Sequence, residues 1–184
     1  MSIADTLPQD SRLNAYHSKG DYMDTFSVSL RGRPDLQSVD IRVLADHMLN
    51  ADIGWMNKLL AARDAVVKPL GLKTTDDLLK EQSDIPMAER EAGDRVGFFK
   101  IYRVGFFKIY SVGQNEIILG EDDWHQDFRL SIFRSVGKTP RVYATTCCKR
   151  HNLFGYAYLA LILPFHKKIA ATVLDTAIEE DLAA

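Results

Sequence analysis

The stretch Gly120-Glu-Asp-Asp-Trp-His-Gln-Asp-Phe-Arg129 continues into Leu130-Ser-Ile-Phe-Arg134, and its pattern predicts a β-strand. A strand sends alternate side chains to opposite faces. The predicted polar face carries Asp123, His125, Asp127, Arg129 and Ser131. The predicted apolar face carries Trp124, Gln126, Phe128, Leu130 and Ile132. We expect the apolar face to pack under a helix, which would direct the polar face away from the core; sheet curvature or a bulge near Gly120 would reverse this assignment.

The polar face has two interpretations. His125 beside Asp127 can act as a general base whose imidazole the carboxylate orients, and Asp127 with Arg129 can bind a polar head group. Alternatively, these side chains form an ion-pair ladder that only stabilises the sheet. Residues two apart on a strand are about 7 Å apart at Cα, so a direct His125–Asp127 bond needs a bend. Asp123, His125 and Asp127 offer three possible metal ligands on one face, but without a second cluster we predict no metal and no cofactor.

Bulk properties restrict the class of protein. The chain has 184 residues, a formal charge of −2 and 46% hydrophobic residues, which is typical of one globular domain without a nucleic-acid footprint. The polar residues 1–20 predict a flexible leader before a single domain over 21–184. The longest apolar run, Leu153 to Phe165, is too short for a membrane span and predicts a core helix. The adjacent Cys147 and Cys148 predict reduced thiols, one of them in the core, and a cytoplasmic protein.

The order of elements predicts an α+β fold. Asp21 to Arg31 predicts a strand, and Ser38 or Asp40 can cap a helix that buries Ile41, Leu44 and Met48. A second helix follows Asp52, with its apolar stripe at Trp55, Met56, Leu59, Leu60, Val66 and Val67. A polar connector leads to the predicted strands 116–119, 124–134 and 141–148 of an antiparallel meander. A long helix opens at Asn152, and Pro164 should kink or split it.

An identical octapeptide, Arg-Val-Gly-Phe-Phe-Lys-Ile-Tyr, occupies residues 95–102 and 103–110. Its β-branched and aromatic residues predict strand. The turn Gly113-Gln-Asn115 should place the second copy against Ile117–Leu119, while the first copy extends the same strand or loops out. The duplication either adds an edge for self-association or is a tolerated insertion.

Three motifs in combination resemble the bacterial domain-of-unknown-function family 2867. They are the Gly120–Arg129 stretch, Arg150-His-Asn-Leu-Phe-Gly-Tyr-Ala-Tyr158 and Ile162-Leu-Pro-Phe-His166. The likeness extends from about Tyr22 to Ala177, and the family pattern carries one copy of the duplicated strand. That family is similar to the helix-grip superfamily of START-like and polyketide-cyclase-like domains, also called SRPBCC. The resemblance implies a curved antiparallel sheet around a long C-terminal helix, with two helices after the first strand and a cavity between sheet and helix.

Three functional hypotheses follow. The first is a domain that binds a small, largely apolar molecule between the sheet and the C-terminal helix. Its predicted ligand-binding residues are Trp55, Asp123, His125, Asp127, Arg129, Asn152, Tyr156 and Tyr158. The second is an enzyme of the cyclase, dehydratase or hydrolase type that uses His125 with Asp127. The third is a homodimer formed through the duplicated strand.

Two further side chains are assigned structural roles. Asn152 is most simply the N-cap of the long helix, although it also belongs to the predicted ligand-binding set. His166 follows Pro164 and should bind the backbone carbonyls that the proline leaves free.

Overall fold

The computed structural model describes residues 1–55, 61, 65, 86–97 and 105–182. In these residues, seven strands form one antiparallel sheet in the order β1-β2-β7-β6-β5-β4-β3. The strands are β1 (Ile3–Asp5), β2 (Tyr22–Ser29), β3 (Arg95–Gly97), β4 (Gly105–Val112), β5 (Glu116–Asp122), β6 (Gln126–Ser135) and β7 (Arg141–Arg150). The α-helices are α1 (Pro34–Ser38), α2 (Ile41–Leu49) and α3 (Leu153–Glu179). Short 3-10 helices occupy Arg12–Ala15 and Met87–Glu89. The predicted α+β, helix-grip-like architecture is confirmed.

The core lies on one side of the sheet, which we call the inner side. Leu130 and Ile132 of β6 are buried there with Ile117 and Leu119 of β5. The predicted apolar face from Phe128 onward therefore packs under the helices, as alternation requires. The helices add Leu44 and Met48 of α2 and Leu174 and Ala177 of α3.

The first strand and the helix after it agree with the sequence pattern. β2 pairs along its whole length with β7, from Tyr22 opposite Cys148 to Ser29 opposite Arg141. Asp40 caps α2 by accepting a hydrogen bond from the Arg42 backbone N–H. The short α1 was not predicted. The second helix predicted after Asp52 and most of the polar connector lie outside the described residues.

The duplicated octapeptide does not form one long strand. The second copy pairs with β5 through the predicted turn at 113–115. The beginning of the first copy forms β3, which runs antiparallel to β4 with Arg95 opposite Lys108 and Val96 opposite Phe107. The predicted extension of the same strand is therefore wrong, because Arg95–Gly97 of the first copy pair with the second copy. The seven residues between β3 and β4 lie outside the described part of the chain.

The C-terminal helix passes through Pro164 as one element from Leu153 to Glu179. The predicted split is wrong. A proline removes one hydrogen bond from a helix, and burial of Leu159, Val173 and Leu174 on both sides of it offsets that loss. His166 does not serve the freed carbonyls, since its ring meets a carboxylate of β2 instead.

The N-terminal residues lie at the edge and on the outer side of the sheet, except that the Ser2 hydroxyl donates hydrogen bonds to Ala171 and Asp175 of α3. β1 pairs with β2, and Leu13 is fully buried against Ile118 and Cys147. A buried carboxylate, Glu116, anchors the segment by accepting hydrogen bonds from the Ser11 hydroxyl and the Arg12 backbone N–H, both at 2.6 Å. The sequence predicts a flexible leader over residues 1–20; in the structure, Leu13 and the hydrogen bonds of Ser11 and Arg12 connect this segment to the sheet.

We expect Glu116→Gln to lower the free energy of unfolding by about 2–3 kcal/mol, because the amide cannot accept all three hydrogen bonds of the carboxylate. The third donor is the Ser131 hydroxyl at 2.5 Å. Urea unfolding measures the change, with Asp10→Asn as the control because Asp10 is an exposed carboxylate of the same segment. A loss no larger than that of the control would contradict the anchoring role of Glu116.

Candidate functional site

The turn between β5 and β6 is joined to the start of α3. Residues 123–125 lie between the two strands, so the strand begins two residues later than predicted. The His125 carbonyl accepts a hydrogen bond from the His151 backbone N–H at 3.0 Å. The Trp124 carbonyl accepts one from the Asn152 side chain at 3.2 Å. Two of the three motifs singled out in the sequence therefore meet in space.

Gly155 makes this contact sterically feasible. A Cβ at position 155 would lie 2.2 Å from the His125 carbonyl oxygen, closer than any side chain can approach. The Asn152 side chain accepts a hydrogen bond from the Gly155 N–H at 3.0 Å, which confirms Asn152 as the N-cap of α3. Only glycine lets the first turn of the helix sit directly on the turn backbone.

His125 points towards α3. Its side chain is 5% exposed, and its ring lies 5.0 Å from the Tyr158 ring and 5.5 Å from the Phe154 ring, both edge-on. Its Nδ1 is 3.6 Å from a carboxylate oxygen of Asp123. This differs from the predicted outward position, because strand alternation begins only at Gln126. The imidazole is held within an aromatic cluster, and Asp123 is the nearby carboxylate.

The structure separates His125 from the other predicted polar residues. Asp127 follows the strand alternation, and its carboxylate lies 2.8 Å from the His151 ring. Arg129 lies on the outer side, 2.6 Å from the Asp122 carboxylate and with its guanidinium 3.6 Å from the centre of the Tyr110 ring. The predicted group of His125, Asp127 and Arg129 is thus divided between two sides of the sheet.

Of the three residues predicted to line the wall, two belong to α3 and the third, Trp55, contacts it; each lies at a different point along the helix. Tyr158 is half-buried against His125. Tyr156 is largely exposed, with the Arg150 guanidinium 4.3 Å from its ring centre. Trp55 lies near the middle of the helix, where the Lys168 ammonium is 5.0 Å from its ring. The structure brings Tyr158, but not the other two, next to His125.

A polar cluster on the inner side was missed by the sequence analysis. Asp24 of β2 has one carboxylate oxygen 3.2 Å from His166 Nε2, and its other oxygen accepts a hydrogen bond from the Tyr22 hydroxyl at 2.7 Å. Burial, with Asp24 nearby, raises the pKa of Tyr22. The signal in the sequence was an acidic residue on the same strand face as Tyr22, Phe26 and Val28. We call Tyr22, Asp24 and His166 the seam cluster.

Both cysteines are free and buried, one on each side of the sheet. Cys148 lies opposite Tyr22 in the strand register, and Cys147 packs with Leu13 under the N-terminal segment. Burial raises the pKa of Cys147 to about 11 and that of Cys148 to about 12. Thiols with such values are poor nucleophiles at neutral pH.

Among the described residues, no three His, Cys, Asp or Glu side chains are grouped as metal ligands. A family model described as a protein of unknown function (DUF2867) matches residues 17–173. No curated protein matches the chain, and no solved structure matches it.

We expect Gly155→Ala to destabilise the protein by about 1–3 kcal/mol. Inside an ordinary helix the same change stabilises by up to about 1 kcal/mol, so the sign of the effect tests the contact with His125. Gly54→Ala is the control, since a Cβ there meets nothing within 4 Å. Chemical denaturation measures both variants, and a stabilised Gly155→Ala protein would show that α3 does not rest on the turn.

We expect stability to fall as the pH rises above 9, because the unfolded thiols ionise near pH 9.0 while the folded ones stay protonated until about pH 11 or 12. In that window each thiol lowers the free energy of unfolding by up to about 1.4 kcal/mol per pH unit. Below pH 9 both thiols are protonated in the folded and the unfolded protein, and this part of the stability is fully present. Urea unfolding at several pH values measures the slope. Replacing both cysteines by alanine should flatten it, and equal slopes would contradict the raised pKa values.

Proposed function

We propose that this chain, which belongs to the DUF2867 family of proteins of unknown function, binds a small, largely apolar molecule. The proposed site lies between the inner side of the sheet and the first half of α3. The arrangement of sheet and helix supports kinship with the helix-grip superfamily, in which a ligand cavity lies at this place. Bacterial origin and a cytoplasmic location remain predictions from the sequence.

The observation that carries the proposal is the seam cluster beside incompletely covered apolar surface. The second half of α3 is seated on the core through Val173, Leu174 and Ala177. On the inner side of the sheet, Phe26, Phe128 and Ala144 remain only partly buried. Ligand sites typically combine such apolar walls with a few converging polar groups.

The seam cluster supplies the polar end of the proposed site. Asp24 is held by Tyr22 and His166 from two different elements, so its carboxylate is oriented before any ligand arrives. The imidazole of His166 can donate or accept a hydrogen bond, depending on its tautomer. A ligand with one polar group on an apolar body would match this arrangement.

The aromatic cluster at the start of α3 supplies an apolar wall. His125, Phe154 and Tyr158 pack edge-on or stacked, with ring centres 5.0–6.2 Å apart. Of the residues predicted from the sequence to bind the ligand, His125 and Tyr158 belong to this wall. Asp127 and Arg129 are placed in outer contacts and are not part of the proposed site.

An enzyme is the second candidate, favoured by the same carboxylate–imidazole contact. His125 and Asp127 do not form the predicted pair, whereas His166 lies next to Asp24. A carboxylate that orients an imidazole is the usual arrangement of a general base. The acid–base chemistry of this candidate is therefore assigned to His166 rather than to His125.

We expect the uncharged fluorescent probe N-phenyl-1-naphthylamine, an apolar body with one N–H donor, to bind the folded protein and His166→Gln to weaken that binding by about tenfold, the effect of losing one polar contact. His17→Gln is the matched control, because His17 is exposed in the N-terminal segment. Fluorescence titration measures both. Equal affinities for wild type and His166→Gln would contradict the proposed site.

Native mass spectrometry of the purified protein addresses the choice between binding and catalysis. A copurified molecule that stays unchanged on incubation supports a binding domain. Its conversion to a product by the wild type, but not by a folded His166→Gln variant that still binds it, would establish the enzyme.

A further inference from the structure

The outward face of α3 exposes a continuous apolar stripe, which does not belong to the proposed ligand site. Its residues recur at the three- and four-residue spacing of one helix face. They are Leu153, Tyr156, Ala157, Ala160, Leu161, Pro164 and Phe165. Leu153 is 87% exposed, Leu161 60%, Tyr156 53% and Phe165 51%. We call this surface the α3 stripe.

An exposed ring at one end extends the apolar surface. Trp124 is 55% exposed and stacks on Phe154 at 4.9 Å, next to the start of the helix. Each such ring offers roughly 150–250 Å² of apolar surface, of which about half is open here. Large contiguous apolar patches on a folded protein typically mark an interaction surface.

Basic residues lie at both ends of the stripe. Arg150 precedes α3, with its guanidinium 4.3 Å from the centre of the Tyr156 ring, and Lys167 and Lys168 follow Phe165. The sequence contains no Asp or Glu between Asp127 and Asp175, and Asp127 itself is paired with His151. The exposed face of α3 therefore carries positive charge at its ends, with Asp123 beside Trp124 as a nearby acidic group, although the chain as a whole carries a formal charge of −2.

We propose that the α3 stripe docks on the surface of an anionic lipid bilayer. Leucine, phenylalanine, tyrosine and tryptophan side chains enter the boundary between headgroups and acyl chains, and flanking lysine and arginine side chains meet anionic headgroups. A second copy of this chain fits less well. If two stripes paired, in either direction, basic ends of one copy would lie against basic ends of the other.

The helix lies on the bilayer in this proposal and does not cross it. Among the described residues, α3 is long and apolar enough to span a membrane by length and composition. Its opposite face, however, is committed to the sheet through Gly155, Leu159 and Leu174. A span would require those contacts to break, whereas surface docking leaves them intact.

Vesicle co-sedimentation tests the proposal with the full chain. We expect the wild type to pellet with vesicles of phosphatidylcholine mixed with phosphatidylserine, and much less with phosphatidylcholine alone. Leu161→Gln combined with Phe165→Gln should weaken binding by about tenfold or more. Arg150→Gln combined with Lys167→Gln should weaken it by about fivefold for each charge and reduce its salt dependence.

Matched controls come from the turn between β6 and β7. Val136 is an exposed apolar residue and Lys138 an exposed basic one, and neither lies near the stripe in the sequence. Val136→Gln and Lys138→Gln should bind vesicles as the wild type does. Circular dichroism and urea unfolding confirm that all variants are folded.

Three results would overturn the proposal. The first is equal binding of the wild type and the Leu161→Gln, Phe165→Gln variant. The second is binding that does not depend on phosphatidylserine. The third is a dimer, measured without vesicles by light scattering, that the stripe variant dissociates, because a second copy would then cover the surface. The stripe variant should keep the probe affinity of the wild type at the seam cluster, so failure here is distinguishable from failure of the proposed ligand site.

Discussion

The close approach of Gly155 to the carbonyl of His125 determines how the long helix meets the sheet. Two backbone segments can come this near only where one of them lacks a side chain, and the hydrogen bond from the His151 N–H to the same carbonyl joins them. The first turn of α3 is thereby placed on the β5–β6 turn. The position of Tyr158 over His125 and of His166 beside Asp24 follows from where the helix begins.

Each side of the sheet has its own set of polar contacts, since successive side chains of a strand leave in opposite directions. On the inner side, Asp24 is shared by Tyr22 and His166 next to apolar surface. On the outer side, Glu116 accepts hydrogen bonds from the N-terminal segment, and Arg129 pairs with Asp122. The inner cluster joins two elements beside partly covered apolar side chains, whereas the outer contacts hold the sheet and the leader together. This difference is why the proposed ligand site is placed inside.

The C-terminal helix is apolar on two faces, and the two faces have different surroundings. One face packs on the sheet and is stabilised by burial of Leu159, Leu174 and Ala177. The other keeps Leu161 and Phe165 in solvent, between basic residues at its two ends. A helix that only completed a core would need one apolar face. The second face is the one that we propose docks on an anionic lipid bilayer.

The sequence by itself determined the strands of the meander, the Asn152 cap and the grouping of Phe128, Leu130 and Ile132 on one strand face, because alternation and capping depend on neighbouring residues. It narrowed the cap of α2 to Ser38 or Asp40. Tertiary structure alone decided three features: the inward turn of His125, the antiparallel pairing of the repeat copies and the contact of Asp24 with His166. Strand alternation does not extend into a turn, so parity could not place His125. Asp24 and His166 are far apart in the chain, and only the path of α3 across the sheet brings them together.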